Sequence, residues 1–348
     1  NLDGREHKSQ GAAGAAMRTE SLAIGGDLGG TSTRILVVGT DGRECGRSVT
    51  GGGNPISHPA GAAAALAGAL KAALAGVDPG RVTASVIGVA GVSALRTPPV
   101  AARFGQVWTD AGLTCDPGYA PDLEVAFAAG TPEPDGSVLV AGTGATAGAV
   151  SGRRLTRTAD GHGWLLGDDG SGFWLGREAV RATLRTLDAG EPPGHLVGAV
   201  LRELAAVDPV DEVDPARRRW GTDGCQGRVI QAVNSRPGVQ LSALAPLVSA
   251  AYREGDPEAR SIVERAAAAL LTTLSRIRGQ GETTPIVLAG GLTSDTTPVG
   301  TTLRRLLPAR FAGPIRPART GAGGAAWLAL AALDPTLATG DTHARLCG

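Results

Sequence analysis

Two glycine turns and two acidic stretches are the parts of this sequence that could do chemistry. In Asp27-Leu28-Gly29-Gly30-Thr31-Ser32-Thr33-Arg34 a carboxylate precedes two glycines and three hydroxyl residues. Glycines let backbone N–H groups come close to phosphate oxygens, hydroxyls add donors, and the Asp can hold a hydrated Mg²⁺ that offsets phosphate charge. Gly142-Thr143-Gly144 offers a second turn of the same kind. Pro121-Asp122-Leu123-Glu124 opens an apparent helix through Ala129, in which Asp122 reads as an N-cap candidate and Glu124 as a solvated helix residue. The stretch from Gly161 to Gly172 holds five glycines in twelve residues around Asp168 and Asp169. So many flexible positions are costly to order, which predicts a ligand loop more than a passive turn.

The elements that must position these residues follow from the apolar pattern. Ser21 to Leu28 and Arg34 to Gly39 read as two strands joined by the first glycine turn, with Thr40-Asp41-Gly42 as a second hairpin turn. Because Ile35 to Val38 is strand-like, no helix follows the first glycine turn, which excludes a Rossmann or P-loop site. The same strand, glycine turn, strand pattern recurs about 115 residues later, from Ser137 to Ala141 and Ala147 to Val150, closed by Ser151-Gly152-Arg153. A duplication of this unit implies two related domains facing each other. Helices are expected over 60–75, 98–111, 176–187, 198–207, 241–253 and 257–278, and strands over 84–89 and 285–289. Strands early in each half with helices after them give an α/β class. The stretches 188–194 and 208–219 read as surface loops or a helical insertion.

Composition narrows the partners. A chain of 348 residues exceeds one compact core, so two domains with a ligand cleft are expected. Lys plus Arg and Asp plus Glu balance at 33 each without long blocks, which predicts no nucleic-acid or membrane partner. The longest apolar stretches fall short of the ~20 residues a membrane span needs. Cys45, Cys115, Cys225 and Cys347 are scattered, fitting neither a disulfide framework nor a zinc site, and the cytoplasm is the expected compartment. Residues 1–16 have no apolar run and read as an expression remnant or a disordered arm, with Met17 the only methionine.

Four motifs together resemble a known family. Asp27-Leu-Gly-Gly-Thr-Ser-Thr-Arg34, Gly142-Thr-Gly144, Gly163-Trp-Leu-Leu-Gly-Asp-Asp-Gly-Ser-Gly172 and Ala289-Gly-Gly-Leu292 look like those of the BadF/BadG/BcrA/BcrD ATPase family, in its branch of N-acetylglucosamine and glucosamine kinases. The resemblance implies a two-domain, actin-like (ribonuclease H-like) α/β ATPase fold with a nucleotide and sugar cleft. It further implies a first domain over 17–121 completed by a C-terminal helix at 322–345, a second over 122–321, closure over the sugar, and a homodimer. ATP and Mg²⁺ are the implied cofactors. By the same resemblance Asp27, Gly29, Gly30, Thr31 and Thr33 form the first phosphate loop, with Asp27 reaching the metal through water. Thr143 and Gly144 form the second loop, and Gly290 and Gly291 contact adenosine. Asp122 becomes the base that accepts the proton of the attacking sugar hydroxyl. Asn54, Asp168 and the backbone at Gly161 and His162 contact the sugar. One position departs from the family: Ala145 stands where Ser is usual, which removes a hydroxyl that Thr146 could replace.

The reaction so implied is transfer of the γ-phosphate of ATP to the 6-hydroxyl of glucosamine, with N-acetylglucosamine kinase as the alternative. A carboxylate suits an ammonium and an apolar slot suits an acetamide. Asp168-Asp169 and the 3% aromatic content lean toward glucosamine. A rival of another class is a non-sugar ATPase switch or an activator holding an iron–sulfur cluster, but the latter needs closely placed cysteines from each subunit.

Overall fold

The computed structural model describes residues 21–205 and 224–348. The expectations for residues 1–16 and 208–219 lie outside the described residues. The chain divides into two units. One takes the residues up to Gly136 with Val150–Leu155 and Arg316–Gly348, and the other takes Ser137–Ala149 and Thr156–Ile315.

The first unit is built on a five-stranded sheet of β1 (Leu22–Leu28), β2 (Thr33–Gly39), β3 (Glu44–Thr50), β4 (Val82–Val89) and β5 (Tyr119–Pro121), in the order β3-β2-β1-β4-β5. The central strand β1 pairs antiparallel with β2, opposite Leu22↔Gly39 to Leu28↔Thr33, and parallel with β4. Its side chains alternate between two cores, as a period of two requires. Leu22, Ile24 and Leu28 join Leu66, Leu70, Phe104 and Trp108 of the helices Ala62–Ala73 and Pro98–Asp110. Ala23 faces the other way, onto Ala322, Ala326, Trp327 and Leu330 of the helix Gly321–Leu333.

Gly25 lies on that second face, and a Cβ there would stand 2.2 Å from the Ala322 carbonyl oxygen and the Ala326 nitrogen. Strand and helix backbones therefore touch directly, a closeness only glycine permits. The expected C-terminal helix is broken by Asp334-Pro335, where the chain turns before a short last helix, Gly340–Cys347.

The second unit repeats the plan. Strands β6 (Gly136–Ala141), β7 (Ala145–Ser151), β8 (Arg154–Asp160), β9 (Ile286–Ala289) and β10 (Ile315–Pro317) run in the order β10-β9-β6-β7-β8. Read from the other edge, β8-β7-β6-β9-β10 matches β3-β2-β1-β4-β5 element for element, and β6 pairs parallel with β9 as β1 does with β4. The duplication anticipated from two glycine turns extends to the whole sheet.

The helices of this unit enclose one apolar core. The helix expected from Gly176 starts earlier, at Gly172, because the Ser171 hydroxyl caps it by accepting the Trp174 N–H at 3.2 Å. The single helix expected over 241–253 is a 3₁₀ segment, Gly238–Leu244, followed by an α-helix, Ala245–Arg253, with a proline in its first turn. Among the described residues no helix is long and apolar enough to cross a membrane.

Candidate functional site

In the first unit, β1 and β2 present the turn between Leu28 and Thr33, and Gly29 N–H closes it on the Ser32 carbonyl at 2.9 Å. Among the described residues nothing lies within 4 Å of a Cβ built on Gly30, and Thr31 is exposed, so the turn has an open face. Thr33 differs from Thr31. It is buried as the first residue of β2, and its hydroxyl packs against Gly53 with no hydrogen-bond partner among the described residues.

Asp27, two residues before the turn, lies beside the first residue of the helix Gly321–Leu333, and a Cβ on Gly321 would fall 2.4 Å from its Oδ2. Burial pushes the Asp27 carboxyl up to about 6, the Asp122 carboxylate adds to this, and Arg34, 3.9 Å away, opposes it. The fold thus brings Asp27 and Asp122 within electrostatic reach, although 95 positions separate them. Asp122 is the first residue of the helix Asp122–Ala128, with Pro121 in the capping position and no side-chain cap bond. The cap reading of Asp122 from sequence is therefore replaced. Its own carboxyl is raised by burial, against the backbone N–H groups of Leu123 and Asp122.

Glu124 also departs from expectation. It is 6% exposed, accepts the Leu155 N–H at 2.9 Å, and pairs with Arg154 at 3.3 Å. A solvated helix position became a buried anchor because its partners come from a hairpin tip 30 residues later. Asn54, the sugar-side residue of this unit, turns its Oδ1 inward to accept the N–H groups of Ile56 at 2.8 Å and Ser57 at 3.2 Å. Both partners are donors, so the oxygen is fixed and only the NH₂ of Asn54 remains to meet a ligand.

In the second unit the helix N-terminus at Gly172 backs the second glycine turn. Gly172 N–H donates to the Gly142 carbonyl at 2.8 Å and Phe173 N–H to that of Thr143 at 3.1 Å. The β9 end comes beside the same turn. Gly290 has φ +89°, and a Cβ on it would lie 2.3 Å from the Ala141 carbonyl oxygen, so Gly290-Gly291 and Gly142-Thr143-Gly144 are adjacent. Thr146 does not replace the hydroxyl missing at Ala145, because its Oγ1 donates to the Ala159 carbonyl at 3.3 Å.

The glycine-rich loop is tied by an aspartate that sequence reasoning missed. Asp160, buried at the end of β8, accepts the N–H groups of Asp168 at 2.8 Å and Asp169 at 3.0 Å, one on each oxygen. Asp168 in turn accepts the Ala145 N–H at 3.0 Å, and Gly144 is needed there because a Cβ would stand 2.8 Å from its Oδ1. Burial raises the Asp168 carboxyl, with the Ala145 N–H opposing and Asp160 and Asp169 adding. His162 and Asp169 are exposed, and Trp164, Leu165 and Leu166 present apolar side chains at the loop surface.

Each turn by itself has room for a phosphate group: among the described residues a Cβ on Gly30, Gly142 or Gly291 would meet nothing within 4 Å, and the carbonyls of each turn are held by other N–H groups. Among the described residues no three His, Cys, Asp or Glu side chains converge as a metal cage. Mg²⁺ on one carboxylate, water and phosphate oxygens needs no such cage, and Asp27 fits that role.

A sequence model of the BadF/BadG/BcrA/BcrD ATPase family matches residues 24–329. The chain belongs to this family. The BadF-type chain is similar to the N-acetylmuramic acid/N-acetylglucosamine kinase of Clostridium acetobutylicum, at 24% identity over 156 residues, which is 45% of this chain and 46% of that kinase. The match thus spans less than half of that relative's length. Among solved structures it is similar to a protein of Chromobacterium violaceum provisionally named an N-acetylglucosamine kinase, with 26% identity, a TM-score of 0.68, and 90% of this chain and 99% of that one covered. A Porphyromonas gingivalis protein with the same provisional name shares the fold at 20% identity and a TM-score of 0.64, covering 90% of this chain and 99% of its own. The BadF-type chain therefore has the actin-like ATPase fold that the family resemblance implied, and its two sheets share one strand order.

Proposed function

We propose that this BadF-family protein is an ATP-dependent hexosamine kinase that transfers the γ-phosphoryl group of ATP to the 6-hydroxyl of glucosamine. The observation that carries the reading is that Asp122, at a helix start, lies within electrostatic reach of Asp27 beside the first glycine turn. Such a pair divides the labour of phosphoryl transfer between a base for the hydroxyl and a support for the metal.

Bound Mg·ATP supplies the phosphoryl group and offsets its charge. In this reading Gly29, Gly30 and Thr31 donate to phosphate oxygens from the first unit, and Thr143 and Gly144 from the second. Asp27 holds a metal-bound water, and Gly290 and Gly291 leave space for adenosine. Asp122 accepts the sugar hydroxyl proton. Its raised carboxyl suits a base that must both take up and release a proton, as a group poised nearer the working pH does. Asn54 donates from its NH₂ to a sugar oxygen, while the free oxygen of Asp168 and the backbone at Gly161 and His162 bind the remaining polar groups.

The three carboxylates Asp160, Asp168 and Asp169 favour a cationic C2 substituent, hence glucosamine. N-acetylglucosamine is the second reading, favoured by the names of the similar kinases. A cytoplasmic homodimer belongs to the same proposal. Coupled ADP release with glucosamine, N-acetylglucosamine, N-acetylmannosamine and glucose tests it. Stimulation by one of the first two supports the reading, and ATP turnover indifferent to all four sugars favours an ATPase switch.

A further inference from the structure

The second glycine turn has its carbonyls held from behind by consecutive N–H groups, those of Gly172 and Phe173 on Gly142 and Thr143. At the first turn, its counterpart in the duplicated sheet, the carbonyls are held by residues 53–58 instead. The carbonyl of Gly29 is taken by the N–H groups of Gly53 at 3.0 Å and Asn54 at 3.2 Å. The next carbonyl, that of Gly30, is taken by a side chain: His58 Nε2 lies 2.6 Å from it. A carbonyl only accepts, so Nε2 carries the hydrogen.

Every peptide bond among the described residues is trans, and in a trans peptide the C=O and the following N–H point in opposite directions. Holding the Gly29 and Gly30 carbonyls from one side therefore turns the Gly30 and Thr31 N–H groups to the other. Neither of these N–H groups has a hydrogen-bond partner among the described residues. The turn is open at Gly30, where among the described residues nothing lies within 4 Å of a Cβ position. Glycine-turn peptides can flip at little steric cost, so an unheld Gly30 carbonyl would spend part of its time where the Thr31 N–H is needed.

We propose that His58 is a positioning residue for nucleotide phosphate, acting through the Gly30 peptide to aim the Thr31 N–H. It does for the first turn what the Phe173 N–H does for the second. The segment is itself held, because His58 N–H donates to the Asn54 carbonyl at 2.8 Å, so removing the imidazole leaves the path of residues 53–58 in place. His58 is exposed and lies outside the apolar cores, so its replacement leaves the fold standing.

The inference rests on the nucleotide-binding part of the proposed function, and its test is made without sugar. Calorimetry of Mg·AMPPNP binding compares the parent with His58→Ala, His58→Phe and His58→Gln. Loss of one neutral hydrogen bond predicts about three- to tenfold weaker binding for the Ala and Phe variants. The Gln variant, which retains an N–H donor, stays within about twofold of the parent. Steady-state kinetics should show the same loss in KM for ATP, with kcat at saturating ATP and KM for sugar changed by less than about twofold. Equal affinity in the parent and the Ala and Phe variants overturns the inference, and so does a loss in the Gln variant as large as theirs. A parent that binds Mg·AMPPNP but phosphorylates no sugar overturns the kinase reading and not this one.

Discussion

Asp168 Oδ1 accepts the Ala145 backbone N–H at 3.0 Å, so the carboxylate of the glycine-rich loop is fastened to the strand that leaves the second glycine turn. One oxygen is spent on structure and the other is left for a ligand. In Asp168→Asn the amide oxygen can keep the Ala145 bond while the charge disappears. If Asp168 anchors an ammonium, discrimination between glucosamine and glucose should fall by about one to two decades in kcat/KM, the worth of a charge-assisted hydrogen bond. A parallel loss for both sugars at constant ratio would make Asp168 a hydroxyl ligand.

Asp122→Asn keeps the shape of the helix start and removes the proton acceptor. Turnover should drop by at least about 10²-fold while ATP and sugar affinities stay near those of the parent. Near-normal kcat in this variant would leave Asp122 without a chemical role.

Asp27 makes stability depend on pH. Its carboxyl is raised to about 6 in the folded protein from an ordinary value of 3.8, chiefly by burial and then by Asp122. The folded state therefore holds the proton more tightly than the unfolded chain. This contribution is fully present below about pH 4 and is lost as pH rises through about 6. With a side chain 24% exposed, the loss is on the order of 1–2 kcal/mol, less than the full shift would give. Metal- and nucleotide-free Asp27→Asn should unfold at a higher temperature than the parent at pH 7.5 and lose that advantage at pH 4. The opposite trend would mean that Asp27 is ionised and stabilised in the folded state.

Asp160 is a residue whose importance only the fold reveals. Replacing it with Ala frees the N–H groups of Asp168 and Asp169 and unties the loop. Sugar KM should rise more than about tenfold. Affinity for Mg·AMPPNP, measured without sugar, should change less than about threefold. Equal damage to both would show that the loop also shapes the nucleotide site.

The sequence was most legible where local chemistry is self-contained. Apolar runs around Gly29-Gly30 and Gly142-Thr143-Gly144 announced β1, β2, β6 and β7, and their repetition announced two related sheets. The turns before β3 and β8 were read, but the strands themselves were given no range because their residues are largely polar and half exposed. Glu124 was misread because the groups that bury it come from Arg154 and Leu155, and nothing near Glu124 in the chain hints at them. Asp160 was passed over because no strand was expected over 154–160. Its left-handed backbone, φ +63°, and the similar one at Asp168, φ +58°, belong to a loop conformation that residue types alone do not specify. His58 was overlooked because its partner is a carbonyl, and every residue offers one of those.

The central claim is that phosphate leaves ATP for a sugar hydroxyl, and phosphorus NMR of the products tests it most directly. With Mg·ATP and glucosamine or N-acetylglucosamine, the account predicts one sugar phosphate monoester on C6 per ADP formed, and none with Asp122→Asn on the same timescale. ADP accompanied only by inorganic phosphate, in amounts indifferent to sugar, would contradict it.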